Sequence, residues 1–282
     1  MIDLQTIVRW RTHAPWANDL MVEQDYLISQ AVERIFRDSK LSKQLAMRGG
    51  TVLHKGHLAP ASRYSEDIDL VLAAKRSHRG IREDLVAVLE PVLGKPYESV
   101  VTTVNLAVRN FFSKSEIARL LYRYDPTSQQ GAMADLKVEV NLNEQKSLYP
   151  LSTVDITVPS PYGASTVSVQ SYDLDEMLGT KMRALLQREH GRDLFDLWYA
   201  WKVSQIRDSG AKVDTRRVAE AFHFYMAQEG SRFSREQFAE ELARRMNSEK
   251  FMHDMAGYLP EGQTYDPRAA YEDFCQVYLP HL

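Results

Sequence analysis

Six residues, Asp67-Ile-Asp-Leu-Val-Leu72, constrain this chain more than any other stretch. Acid and apolar residues alternate at its start, the pattern of a strand with one buried face. Successive side chains on a strand point to opposite faces, so Asp67 and Asp69 share one, ~7 Å apart along it. Two carboxylates held side by side repel unless a cation lies between them. A hard divalent cation suits them, held by one or two carboxylates and by substrate phosphates. The stretch therefore predicts a phosphate-handling site with Mg²⁺ or Mn²⁺, ligated by Asp67 and Asp69.

Upstream, Gly49-Gly50-Thr51 extends that reading. Glycine lets the backbone approach a ligand closely, and a Gly-rich turn presents N–H groups to an anion. Thr51 adds a hydroxyl. The phosphate loop that ends in Gly-Lys-Ser/Thr is absent. Lys55 and Arg63 flank the loop that follows, and Arg63 either holds a phosphate or offsets the acids beside it. Ser65 lies two residues before Asp67 and shares its face. A second strand, Asp135-Leu-Lys-Val-Glu-Val-Asn-Leu142, puts Lys137, Glu139 and Asn141 on one face. Glu139 is the best candidate for a third metal ligand and Asn141 the runner-up; the alternative is a plain solvated strand face.

The rest of the chain frames these motifs. Apolar spacing predicts a helix over 20–37, a short helix near 42–47 leading into the glycines, and a helix over 79–93 stopped by Gly94-Lys-Pro96. Strands are expected at 67–73, 100–108, 117–124, 134–143, 154–158 and 166–170, with turn chemistry at 125–131 and 160–163. From Asp173 onward the pattern is helical, with Ser234 as an N-cap. The fold class is α+β: a mixed sheet flanked by helices over 1–172, then a mainly helical part over 173–282 that contributes to the site.

In that helical part Lys181 falls between apolar positions, where a lysine is costly unless paired. Arg183 and Arg188 follow on the same helix as candidate phosphate or RNA-backbone contacts. Asp193 and Asp196 lie three apart, on one helix face. Either could orient the lysine or accept a nucleophile's proton, and a capping or salt-bridging role is the alternative for Asp193. Trp198, Tyr199 and Trp201 read as core packing, and the histidines form no zinc pattern.

Four of these motifs, in this order and spacing, resemble the AbiEii/MenT-type nucleotidyltransferase-like toxins. These belong to type IV toxin–antitoxin systems and to the polymerase-beta-type nucleotidyltransferase superfamily. The motifs are Gly49-Gly50-Thr51 with Lys55; Arg63-Tyr-Ser-Glu-Asp-Ile-Asp-Leu70; Lys181-Met-Arg-Ala-Leu-Leu-Gln-Arg188; and Gly191-Arg-Asp-Leu-Phe-Asp-Leu-Trp198. The resemblance covers about residues 20–200 and departs at Met47-Arg48, where the family usually has an aromatic residue. It implies a nucleotidyltransferase-type sheet and catalytic roles for Asp67, Asp69, Lys181, Asp193 and Asp196. It implies nucleotide binding by Gly49, Gly50, Thr51, Lys55, Arg63, Ser65 and Arg183.

The resemblance further implies transfer of a nucleotide from an NTP to an RNA 3′ end, tRNA foremost, so that translation and growth stop. A cognate antitoxin is the expected protein partner. Two rivals are a nucleotidyltransferase acting on a small molecule and a non-catalytic nucleotide- or partner-binding module of the same fold. Net charge is −3, so an RNA-binding surface must be a local patch. One cysteine, Cys275, excludes an internal disulfide framework. No apolar run is long enough to span a membrane and no signal peptide is expected, so a cytoplasmic protein without a membrane partner is the reading.

Overall fold

The structure, a computed structural model, describes residues 2–74, 76–108, 111–144 and 146–282. The chain opens with α1 (Leu4–Trp10) and α2 (Asp19–Arg37), each started by a side-chain cap, Asp3 and Asn18. Next come β1 (Leu45–Arg48) and the short α3 (Gly49–Val52), which continues as a wider π-helical turn over Leu53–His57. Strand β2 (Asp67–Leu72) leads to α4 (His78–Leu93), which ends at Gly94 with φ +72°. Strands β3 (Glu98–Val108), β4 (Phe111–Tyr124), β5 (Ala134–Asn141), β6 (Ser152–Ser160) and β7 (Gly163–Ser171) complete the sheet. Helices α5 (Leu174–Gln187), α6 (Gly191–Ser204), α7 (Thr215–Gln228), α8 (Arg235–Arg245), α9 (Glu249–His253) and α10 (Pro267–Val277) follow.

The strands form one mixed sheet in the order β3-β4-β5-β2-β1-β7-β6. Strands β2/β5 and β1/β7 pair in parallel and the remaining neighbours antiparallel. One face is apolar: Ile68, Leu70, Leu136, Val138, Val140, Ala118 and Leu120 are all buried there, and α2 and α4 pack against the sheet. The two-residue period then forces Asp67, Asp69, Lys137, Glu139 and Arg119 onto the opposite face. The core and the site thus follow from one alternation read on its two sides.

The short helix expected near 42–47 is not there. Only a 3₁₀ turn, Leu41–Lys43, precedes β1, and Leu45, Ala46 and Met47 are fully buried in that strand. A short apolar run in a central strand carries no alternation, so periodicity cannot separate it from a helix. The other expected helices and strands are present, with Ser234 and Gln237 forming a capping box at the start of α8; α1 and the short α3 lie outside that expectation.

Past residue 172 the chain changes from strands to helices, yet one buried apolar cluster runs across the change and joins Ile68 and Val140 to Met177, Leu178 and Leu185. A second, smaller cluster holds Ile7, Trp10, Trp16, Val22 and Tyr64. Among the described residues no helix is long and apolar enough to cross a membrane.

Helix α5 is tied to its surroundings by a buried acid. The Glu176 carboxylate accepts hydrogen bonds from the Leu148 and Tyr149 backbone N–H groups at 2.7 and 2.9 Å, and from the Tyr225 hydroxyl at 2.6 Å. Replacing Glu176 by alanine leaves one buried donor, the Tyr225 hydroxyl, and two half-buried N–H groups unpaired, the buried one alone a penalty of about 1–3 kcal/mol. We expect Glu176→Ala to lower unfolding free energy by roughly 3 kcal/mol or more, read as a lower urea midpoint at unchanged slope.

Candidate active site

Strand register builds the floor of the site. In the parallel pair β2/β5, Asp67 lies opposite Lys137 and Asp69 opposite Glu139. Arg119 on β4 lies opposite Glu139, and Arg48 on β1 lies opposite Asp69. A row of Arg119, Glu139, Asp69 and Arg48 therefore crosses four strands, with two acids between two cations. The Lys137 ammonium is 3.0 Å from Asp67 and the Arg119 guanidinium 2.6 Å from Glu139. The Asp69 carboxylate has no hydrogen bond or ion pair to another side chain among the described residues, while its backbone is held in the ladders to β1 and β5. Burial and the neighbouring Asp69 push the Asp67 carboxyl up to about 6, the behaviour of two like charges sharing a site.

The glycines set the close approach to this floor. Gly49 has φ +81°, and a Cβ there would stand 2.1 Å from an Asp69 carboxylate oxygen. At Gly50 a Cβ would press on the Arg63 guanidinium and the Ser65 hydroxyl, at 2.7 and 2.8 Å. Thr51 is buried, and its hydroxyl donates to the Asp67 carbonyl at 2.6 Å and bonds Ser65 at 3.0 Å. Thr51 thus fastens α3 to the first residue of β2.

The opposite wall comes from α5 and α6, through a buried network. Asp196 is fully buried and receives three partners. Arg63 donates to it twice, at 2.6 and 2.8 Å, Lys181 lies at 2.7 Å and His54 Nε2 at 2.8 Å. An ionised carboxylate only accepts, so His54 carries its proton on Nε2 and accepts from Ser62 through Nδ1 at 2.9 Å. Against burial, which would raise it, Arg63, Lys181 and His54 hold the Asp196 carboxyl well below its usual range. Asp193, also fully buried, pairs with Lys181 at 3.3 Å and Arg188 at 3.2 Å, and these cations outweigh burial in the same way.

Between floor and wall lie two adjoining clefts. The first, about 270 Å³, is lined by Arg48, Gly49, Glu139, Arg183 and the apolar Val104, Ile117 and Ala184. The second, about 210 Å³, is lined by Gly50, Arg63, Ser65, Asp67, Arg192 and Asp193. Asp69, Lys137, Lys181 and Arg188 line both and form the ridge between them.

Most of the residues singled out in the sequence meet here. Asp67, Asp69, Gly49, Gly50, Arg63, Ser65, Glu139, Asn141, Lys181, Arg183, Arg188 and Asp193 all line one cleft or both. Asp196 stands behind them, reaching the clefts through Arg63 and Lys181. Asn141 caps a turn, accepting from the Asn143 and Glu144 N–H groups. Arg183 is bound to Glu144 at 2.9 Å and Glu229 at 3.0 Å. Lys55 lies elsewhere: it pairs with Asp25 at 2.6 Å, beside Trp10, in the small N-terminal cluster. A lysine four residues after a glycine turn looks well placed in sequence, but the helical path from Gly49 carries it to the other side.

Arg48, Arg119, Lys137, Glu144 and Arg192 were not singled out, although strand alternation already puts Lys137 beside Glu139. Glu144 bonds both Arg48 and Arg183. Against burial, these two cations bring its carboxyl down to about 2.

The donor set suits a hard divalent ion at the Asp67/Asp69 pair, where the Asp69 carboxylate has no side-chain partner among the described residues and lies against the backbone of Gly49. Among the described residues no cage of three His, Cys, Asp or Glu side chains is preformed. Glu139, in register with Asp69, is bonded to Arg119 instead of completing one.

A sequence profile of the AbiEii nucleotidyl transferase toxin family, type IV toxin–antitoxin system, matches residues 30–278. MenT4, a nucleotidyltransferase toxin from Mycobacterium tuberculosis, superposes with a TM-score of 0.59 at 14% identity, covering 99% of this chain and 91% of that one. JHP933 from Helicobacter pylori superposes with a TM-score of 0.52 at 15% identity, covering 93% of this chain and 92% of that one. At such identities the superpositions establish the fold. No curated protein matches the chain by sequence.

The buried network gives the site a pH dependence of stability. Burial, and then Arg63, bring the His54 imidazole down to about 4 from an ordinary 6.5. The unfolded chain takes up that proton below about 6.5 and the folded protein does not. His54 therefore removes stability as pH falls from about 6.5 toward 4. Asp67, raised in the fold, works in the opposite direction, so the comparison must be with a variant. Whatever deficit His54→Gln shows at pH 7.5 should shrink by about 2 kcal/mol at pH 5, by urea unfolding of both proteins. A deficit that stays constant would mean that His54 titrates normally in the fold.

Proposed function

This chain belongs to the AbiEii nucleotidyl transferase toxin family of type IV toxin–antitoxin systems, and on that footing we propose that it transfers a nucleotide from an NTP to an RNA 3′ end, tRNA foremost. The observation that carries the reading is the convergence of three separate segments on the two adjoining clefts. Asp69 comes from β2, Gly49 and Gly50 from the turn after β1, and Lys181 with Arg188 from α5 and its end.

Asp67 and Asp69 would hold Mg²⁺ or Mn²⁺, and such an ion, when bound, neutralises phosphate charge and orients the reacting oxygens. The backbone at Gly49 and Gly50 admits a phosphate against the floor. Lys181 and Arg188 project cations between the two clefts. Asp193 and Asp196 hold those cations and Arg63 in place, and both acids are already bound to them, which favours orientation over proton abstraction. The acceptor hydroxyl would give its proton to solvent as its oxygen bonds to the α-phosphorus and the bond to pyrophosphate breaks. Positive charge on the ridge meets the negative charge that grows on the leaving group.

The apolar Val104, Ile117 and Ala184 beside Arg48, Arg119 and Arg183 suit a nucleoside with a charged backbone better than a small polar acceptor. The type IV family places an antitoxin beside such an enzyme, and loss of translation through blocked tRNA ends would account for growth arrest.

The test incubates the protein with Mg²⁺, each α-labelled NTP and total tRNA, beside Asp69→Ala. We expect label in tRNA from the wild type and a loss of at least ~10³-fold in the variant, the several kcal/mol that metal stabilisation supplies. The variant should stay folded by circular dichroism, because the Asp69 carboxylate has no hydrogen bond or ion pair to another side chain among the described residues. Label on a small product, with none on RNA, would move the reading to a small-molecule acceptor. No turnover of any NTP would sink the transferase reading.

A further inference from the structure

The ion pairs around the clefts fall into two kinds. The pairs on Asp196 are sealed: Arg63 and Asp196 are 3% and 0% exposed. On the floor the pairs are open, and Lys137–Asp67 is exposed on both sides, at 34% and 29%, with 3.0 Å between ammonium and carboxylate. A half-exposed ion pair is weak and open to competition. Its geometry is nonetheless fixed by backbone, since parallel register sets Lys137 directly opposite Asp67. Lysine adds a compact charge on a flexible four-carbon stem, able to move while its Cα stays still.

We propose that Lys137 is a tethered counter-ion of the metal-binding pair: its ammonium must leave Asp67 for a divalent ion to be held there, and it then serves as a phosphate contact between the clefts. The inference rests on the reading of Asp67 and Asp69 as the metal-binding acids. The alternatives for the displaced ammonium are few. Glu139, next along its own face, is engaged by Arg119 at 2.6 Å. Asp69 belongs to the same metal pair, and Asp193 already binds Lys181 and Arg188. Glu66, a further acid of the second cleft, is taken by Arg192 at 3.4 Å, and Lys137 lines both clefts, so an incoming phosphate is the unpaired anion within its reach. Metal and triphosphate binding would then be coupled through one side chain, with the metal releasing the cation that the phosphate uses.

The experiment titrates the full chain with Mn²⁺ alone and follows free ion by electron paramagnetic resonance. Lys137→Met should bind Mn²⁺ roughly five-fold more tightly than wild type, the upper end for removal of a half-exposed ion pair. A second measurement separates displacement from simple repulsion through space. In a crystal of the wild type soaked with Mn²⁺, the Lys137 ammonium should stand out of hydrogen-bond range of Asp67. A cation that merely repels the ion would keep that partner. Equal affinity in the variant, or an unbroken Lys137–Asp67 pair, overturns the counter-ion role and leaves the metal site standing. Failure of the wild type and of Lys137→Met alike to bind Mn²⁺ overturns both.

Discussion

Asp196 is the residue on which the rest of the site depends. Its carboxylate gathers His54 from the π-helical turn after α3, Arg63 from the loop before β2 and Lys181 from α5. Segments more than a hundred residues apart in sequence are thus held to one another through a single buried charge. Such pairs add little net stability, because desolvation offsets much of the attraction, but breaking one strands the remaining charges in the interior. Their contribution is placement. Here the helices after residue 172 are fastened to the turn after α3 and the loop before β2, with Lys181 lining the same clefts as Asp69.

The same logic divides the acids of the site into two populations. Asp193, Asp196 and Glu144 are buried, each bound by two or more cations, and are held low. Asp67 is partly exposed and held high by burial and by Asp69. The first set stays ionised at any ordinary pH and acts as scaffold. The second carries an unresolved repulsion that a divalent ion relieves. Although the chain has a net charge of −3, three cations, Lys137, Lys181 and Arg188, line both clefts. Whole-chain charge does not register such a local grouping.

Legibility in the sequence followed the same division. The acid–apolar alternation of 67–72 was readable because a strand with one buried face has a two-residue period, and it located both the core and the floor. Lys181 was readable because a lysine amid buried positions demands a partner. The partnerships themselves were not readable. Nothing local says that Asp196 would take Arg63, or that Lys55 would turn away to Asp25, since those pairings depend on how distant segments pack. Strand β1 was missed for a related reason: being covered on both faces, it shows no alternation at all. Glu144 and Arg48 escaped because their pairing joins β1 to the segment after β5, across a sheet order that local patterns do not encode.

Glycine 49 shows how these layers converge. Its positive φ turns the chain sharply from β1 into α3, and the absence of a Cβ lets that turn lie against the Asp69 carboxylate. Any other residue would meet both a backbone penalty and a collision, two independent costs at one position. The same turn sends Thr51 to clasp the start of β2 and carries His54 down to Asp196. One conformational choice therefore clears the floor, fastens the acidic strand and delivers a ligand to the buried network. The turn, the acid pair and Asp196 consequently form one mechanical unit, and a change at any of them is felt at the ridge that Lys181 and Asp69 both line.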